Sequence, residues 1–167
     1  MIRIAILGAG EIAVRHVEGF QRTRDVKLVS ICDPIAERAT ELAESADFER
    51  VDAHADDAIT ADDIDLVLVL TPHDLHAPQV VAALEAGKHV VIEKPFTGAF
   101  TPGRDARGWE KCLEEGLESA DRMIAAEQKS GRYIMYAENL IYAPGVQKAR
   151  RLLDAADTPI LRIVGEE

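Results

Sequence analysis

The residues that most constrain this chain are its first thirteen. Ile2-Arg3-Ile4-Ala5-Ile6-Leu7 is an apolar run. It meets Gly8-Ala9-Gly10 without a spacer, and Glu11-Ile12-Ala13 opens a helical pattern at once. That order predicts a buried strand, a tight turn and a helix N-terminus. Gly8 suits the sharp turn, Gly10 leaves room for close approach to the backbone, and Ala13 is small enough for the helix to pack on the strand. The first N–H groups of the helix and the positive end of its dipole would then face an anion.

Composition narrows what surrounds this turn. A length of 167 residues suits one domain, or one domain and part of another. Hydrophobic residues make up 47% of the chain but aromatics only 5%, so the core must be built from Ala, Val, Ile and Leu. Such side chains suit helices packed closely on a parallel sheet. The net charge of −11 argues against a nucleic-acid partner, which needs clustered Lys and Arg. The acids concentrate between Asp33 and Asp65, opposed only by Arg38 and Arg50, and read as a solvated face. No secretory signal is visible. No apolar run approaches the roughly 20 residues that span a membrane, so no membrane partner is expected. Cys32 reads as core, and a reducing cytoplasm is the simplest setting.

The rest of the chain repeats strand and helix. Strands are predicted at Met1–Leu7, Val26–Cys32, Ile64–Leu70, Lys88–Ile92 and Arg132–Ala137, with a short one at Arg50–Ala53. Helices are predicted from Glu11 to about Thr23, at Ile35–Ser45, Pro78–Ala86 and Leu117–Gly131, and from Pro144 through Leu153, with a turn or short helix at Asp57–Asp63. Phe96 to about Glu115 carries several Gly and Pro and reads as an irregular loop. Thr158–Gly165 reads as a last strand with nothing after it to pair with, which suggests a piece of a longer protein.

The expected fold is therefore α/β, a Rossmann-type doubly wound parallel sheet over residues 1–137, with the start of a truncated second α+β domain over 138–167. Ligands collect beyond the carboxyl ends of such strands. Asp33, Thr71-Pro72-His73 and Glu93-Lys94-Pro95 all stand at those ends. Asp33 follows Gly10 by 23 residues, about where a dinucleotide site places the acid that binds the adenosine ribose.

Taken together, Gly8/Gly10/Ala13, Asp33, the run from Thr71 through Pro78, Ala83-Leu84-Glu85-Ala86-Gly87-Lys88-His89-Val90 and Glu93-Lys94-Pro95 resemble the Gfo/Idh/MocA family, that of glucose–fructose oxidoreductase and inositol dehydrogenase. The resemblance covers about residues 2–150. It implies an NAD(P)-dependent oxidoreductase acting on a sugar, polyol or related CH–OH substrate, represented here mainly by its cofactor domain. By resemblance, Gly8, Gly10, Ile12 and Ala13 would hold the pyrophosphate and Asp33 the adenosine ribose. Thr71, Pro72, His73 and His76 would line the cofactor, and Glu93 and Lys94 would face the nicotinamide ribose and reacting carbon. His73 stands where the family often has Asn, and Ile141 where it often has Arg or Lys. The resemblance also implies a cis bond before Pro95, and a catalytic His with an Asp four residues before it in a C-terminal domain. A full-length protein is expected to be a homo-oligomer.

Lys94 is the candidate catalytic group. Beside a cationic nicotinamide its own charge would be disfavoured, which suits proton sharing with a substrate oxygen. Asp33 and the acids after it favour NAD over NADP, because a 2′-phosphate would meet a carboxylate; Arg38 argues the other way. No metal site is expected. His16, His54 and His89 read as structural or solvated. The competing expectation is a non-catalytic dinucleotide-binding sensor or subunit.

Overall fold

The computed structural model describes residues 1–99 and 108–156. Residues 1–137 form one compact unit and 138–167 a second.

The first unit is a six-stranded parallel sheet. In chain order its elements are β1 (Ile2–Leu7), α1 (Glu11–Phe20), β2 (Val26–Cys32), α2 (Ala36–Ser45), β3 (Arg50–Val51), α3 (Ala55–Thr60), β4 (Leu66–Val69), α4 (His76–Glu85), β5 (His89–Ile92), α5 (Trp109–Ser130) and β6 (Ile134–Tyr136). The strands lie in the order β3-β2-β1-β4-β5-β6. The chain winds outward from β1 to β3 and then restarts on the other side of β1 with β4. The crevice between the ends of β1 and β4 is thus the switch point where such sheets take their ligands.

Strand alternation divides the core into two layers. Ala5, Leu7, Val67, Val69, Val90 and Ile92 face one side and pack with Ala58 and Ile59 of α3, Val80 and Leu84 of α4, and Met123 of α5. Ile4, Ile6, Leu28, Ile31, Leu66 and Leu68 face the other and pack with Ala13 and Val17 of α1 and Ala39 and Leu42 of α2. Both faces are therefore covered, which is why these strands read as continuous apolar runs.

Two expectations are corrected. Helix α5 begins at Trp109, within the segment read as a loop to Glu115. Gly98, Pro102, Gly103 and Gly108 suggested irregular backbone, but Glu110, Lys111, Leu113, Glu114 and Glu115 are good helix formers, and burial of Cys112 anchors the first turns. Helix α4 begins at His76 rather than Pro78. Pro78 fits there because the first helical turn has no intrahelical acceptor for the N–H that proline lacks. The second unit holds a 3₁₀ turn at Asn139–Tyr142 and α6 (Pro144–Ala156). The strand expected at Thr158–Gly165 lies outside the described residues.

Candidate cofactor-binding site

The ends of β1, β2 and β4 surround a cleft of about 840 Å³, lined among others by Gly8, Gly10, Asp33, Ile35, Arg38, His54, Thr71, Pro72, Leu75 and Gln79. Its floor is the glycine turn. Gly8 has φ +98°, and a Cβ there would lie 2.7 Å from the carbonyl oxygen of Leu70. The turn itself therefore demands glycine twice, for conformation and for space. Gly10 differs. Its φ of −77° suits any residue, and nothing lies within 4 Å of where its Cβ would be. No contact inside the protein requires a glycine at position 10. Its bare backbone opens the N-terminal end of α1, which no side chain caps, and that is the cradle a phosphate group needs. Ala13 is fully buried against the sheet, while Ile12 is exposed.

Asp33 stands at the opposite wall. Its Oδ2 accepts the N–H of Ala9 at 2.8 Å, and its Oδ1 accepts that of Ile35 at 2.8 Å. The carboxylate thus joins the glycine turn to the start of α2, with its remaining lone pairs available to the cleft. Arg38, exposed on α2, lines the same space. Cys32 also lines it, and burial, with help from Asp52 and then Asp33, pushes its thiol pKa up. A protonated thiol is a poor nucleophile, so Cys32 serves as a packing residue.

The Thr71–His76 segment forms the wall beyond β4. The Thr71 hydroxyl donates to Oε1 of Gln79 at 2.6 Å. The His73 ring lies against Gly98, close enough that a Cβ there would come within 2.6 Å of its Cδ2. His76 requires a correction. It was expected to line the cofactor, but its side chain is only 1% exposed. Its Nδ1 lies 3.0 Å from the carbonyl oxygen of Pro95 and its Nε2 2.9 Å from that of Thr71. His76 is thus a strut between two loops of the site and presents no ring edge to a ligand.

After β5, Lys94 is exposed, and among the described residues its ammonium has no hydrogen-bond or ion-pair partner. The Lys94–Pro95 bond is cis. Glu93 is held differently: its Oε1 lies 3.0 Å from Nε2 of His16, and its Oε2 accepts the N–H of Lys94 at 2.8 Å. Each Glu93 oxygen thus has one partner within the protein, as each Asp33 oxygen does.

Sequence reading gave His16 no such place. The available signal was its position three residues after Ala13 and four before Phe20, on the stripe of α1 that faces the sheet. His54 also lines the cleft; it directly follows the short strand predicted at Arg50–Ala53, but the acids around it made it read as structural or solvated. Among the described residues no group of three or more His, Cys, Asp or Glu side chains is placed to hold a metal ion, and no helix is long and apolar enough to cross a membrane.

Residues 2–107 match the model of the Gfo/Idh/MocA oxidoreductase family, in its NAD-binding Rossmann fold. The chain belongs to this family. The matched stretch carries β1 through β5 and every candidate cofactor residue. Over 158 residues the chain is 37% identical to an inositol 2-dehydrogenase of Corynebacterium glutamicum, covering 93% of this chain and 42% of that protein. Over 116 residues it is 35% identical to the 4-carboxy-2-hydroxymuconate-6-semialdehyde dehydrogenase of a Sphingobium species, covering 70% and 36%. The solved structure of KijD10, a 3-ketoreductase from Actinomadura kijaniata, superposes with a TM-score of 0.74 at 26% identity, covering 92% of this chain and 44% of that one. This Gfo/Idh/MocA chain thus spans about two-fifths of the length of the relatives it matches.

Proposed function

We propose that the chain binds a nicotinamide adenine dinucleotide along the carboxyl edge of its sheet, prefers NAD to NADP, and supplies the cofactor half of a dehydrogenase acting on the CH–OH group of a sugar, polyol or related compound. The observation that carries this reading is Gly10. It is a glycine with ordinary backbone geometry and open space where its side chain would be, at the uncapped start of a helix. A pyrophosphate explains that choice, and the internal packing does not.

The other residues take their roles from that anchor. Gly8 shapes the turn, Ile12 offers its backbone and Ala13 brings the helix close to β1. The adenosine half extends toward Asp33, whose unused lone pairs would accept from the ribose hydroxyls. Thr71, Pro72 and His73 wall the middle of the cofactor, with His76 bracing them from behind. The nicotinamide half extends toward Glu93 and Lys94. The bound cofactor supplies the hydride acceptor or donor. Lys94, whose exposed ammonium has no partner among the described residues, stands after β5 at that end and would hold a proton at the substrate oxygen. The inositol 2-dehydrogenase among its relatives supports a polyol-like substrate.

The preference for NAD rests on Asp33, since a 2′-phosphate beside a carboxylate is repelled. Arg38, which lines the cleft and carries a positive charge, is the residue that opposes this preference, and the solved 3-ketoreductase holds NADP. Side-by-side titration with NADH and NADPH is the test. NADH is expected to bind about tenfold more tightly, the effect of roughly 1.4 kcal/mol of charge repulsion. Tighter binding of NADPH would reverse the preference, and failure to bind either would remove the reading.

A further inference from the structure

Glu93 is held by a histidine from the far side of β4, and strand alternation explains how the two meet. Val91 of β5 packs with the α1 layer, whereas Val90 and Ile92 belong to the opposite layer. Glu93 follows Val91 by two residues, so its side chain leaves on the α1 side. Helix α1 turns Ala13, Val17 and Phe20 toward that side, and His16 shares the stripe. The result is the 3.0 Å contact between Nε2 of His16 and Oε1 of Glu93, with side chains 20% and 12% exposed.

A carboxylate this enclosed needs hydrogen-bond partners. An apolar pair would pin helix to sheet equally well. What the polar pair adds is direction. With Oε1 fixed by His16, Oε2 is aimed at the N–H of Lys94. One carboxylate thereby connects the helix that begins at the phosphate cradle to the backbone of the residue at the nicotinamide end.

We infer that His16 is a positioning residue: acting through Glu93, it holds the backbone at Lys94 so that the nicotinamide half of a dinucleotide seated on α1 meets Lys94 in one fixed arrangement. This inference rests on the dinucleotide reading above. It requires that His16 matter for the nicotinamide half of the ligand and not for the half bound by Gly10 and Asp33.

The test compares NADH with ADP-ribose, which lacks the nicotinamide, on the 167-residue chain by calorimetric titration. In H16L the NADH affinity should fall about tenfold, the loss of one charge-assisted hydrogen bond, while ADP-ribose binding stays within about twofold. H16Q, which keeps an N–H donor at similar reach, should restore NADH binding. The emission of bound NADH should shift in H16L and return in H16Q, since it reports the surroundings of the nicotinamide. If H16L does not fold, H16N makes the same comparison, because its amide is too short to reach Glu93. Equal losses for both ligands, or no loss for either, would overturn the positioning role and leave the dinucleotide site standing. A parent chain that binds neither ligand would overturn both.

Discussion

The two ends of this sheet are built from similar residues and use them in opposite ways. At the amino end, charges are consumed by the protein. Arg3 grips Asp65 through three hydrogen bonds, two from its guanidinium and one from its backbone N–H. Further along the sheet, level with Ser30 of β2, Arg50 likewise bridges Asp52 and Asp63. Lys88 is buried, with Nζ donating to the carbonyls of Ala61 at 2.7 Å and Ile64 at 2.9 Å. At the carboxyl end, Lys94 has no partner among the described residues, Gly10 borders open space, and Asp33 keeps lone pairs toward a cleft. Residues with all their partners inside the protein report on folding. Residues left with unused capacity at a strand end report on a ligand.

That contrast can be broken most directly at Gly10. G10A should weaken NADH binding by at least about tenfold, because a methyl group would stand between backbone and pyrophosphate. Its stability should fall by less than about 1 kcal/mol, the usual cost of alanine at a helix N-cap. Calorimetric titration and a thermal melt measure the two effects separately; a large loss of stability with binding retained would mean that Gly10 belongs to the fold.

Lys88 makes the converse case. K88M should cost about 2–3 kcal/mol of stability, because it strands one buried and one partly buried carbonyl that a charged donor had satisfied. NADH affinity should stay within about twofold. A selective loss of binding in this variant would show that the two ends are coupled.

The smallest effect is expected at Asp65, whose bonds with Arg3 hold its carboxyl at about 2 against an ordinary 3.8. A depressed folded value means that the pair stabilises the protein above about pH 4 and loses that contribution as the pH falls toward 2. Both side chains are 40% exposed, so solvent screening limits the gain to under about 1 kcal/mol. Urea melts of the parent and D65N should differ slightly at pH 7 and converge near pH 2. A gap that persists at pH 2 would place the effect elsewhere.

Much of the fold was legible because the strands are buried on both faces and the helices have one apolar stripe. The glycine turn, Asp33 and the strand-end clusters were legible for the same reason, since a doubly wound sheet collects its ligands at one edge. Helix α5 was misread at its start because the Gly and Pro from Gly98 to Gly108 outweighed the helix formers that follow them. The role of His76 was misread because its position after Thr71-Pro72 fits a ligand contact and a strut equally well. Only the burial of its ring and two carbonyl partners decided between them.

By itself the sequence determined the strand–helix rhythm, the parallel sheet and the alignment of polar clusters at one edge, since periodicity and the sites of glycine and proline are local properties. Tertiary structure decided which polar groups remain free. His16 and Glu93 lie 77 residues apart. His76 reaches Pro95 across 19. Lys88 meets carbonyls that a strand-end pattern does not reveal. Partnership between distant side chains depends on which face of which strand each one leaves. That is settled only when helices and sheet have packed.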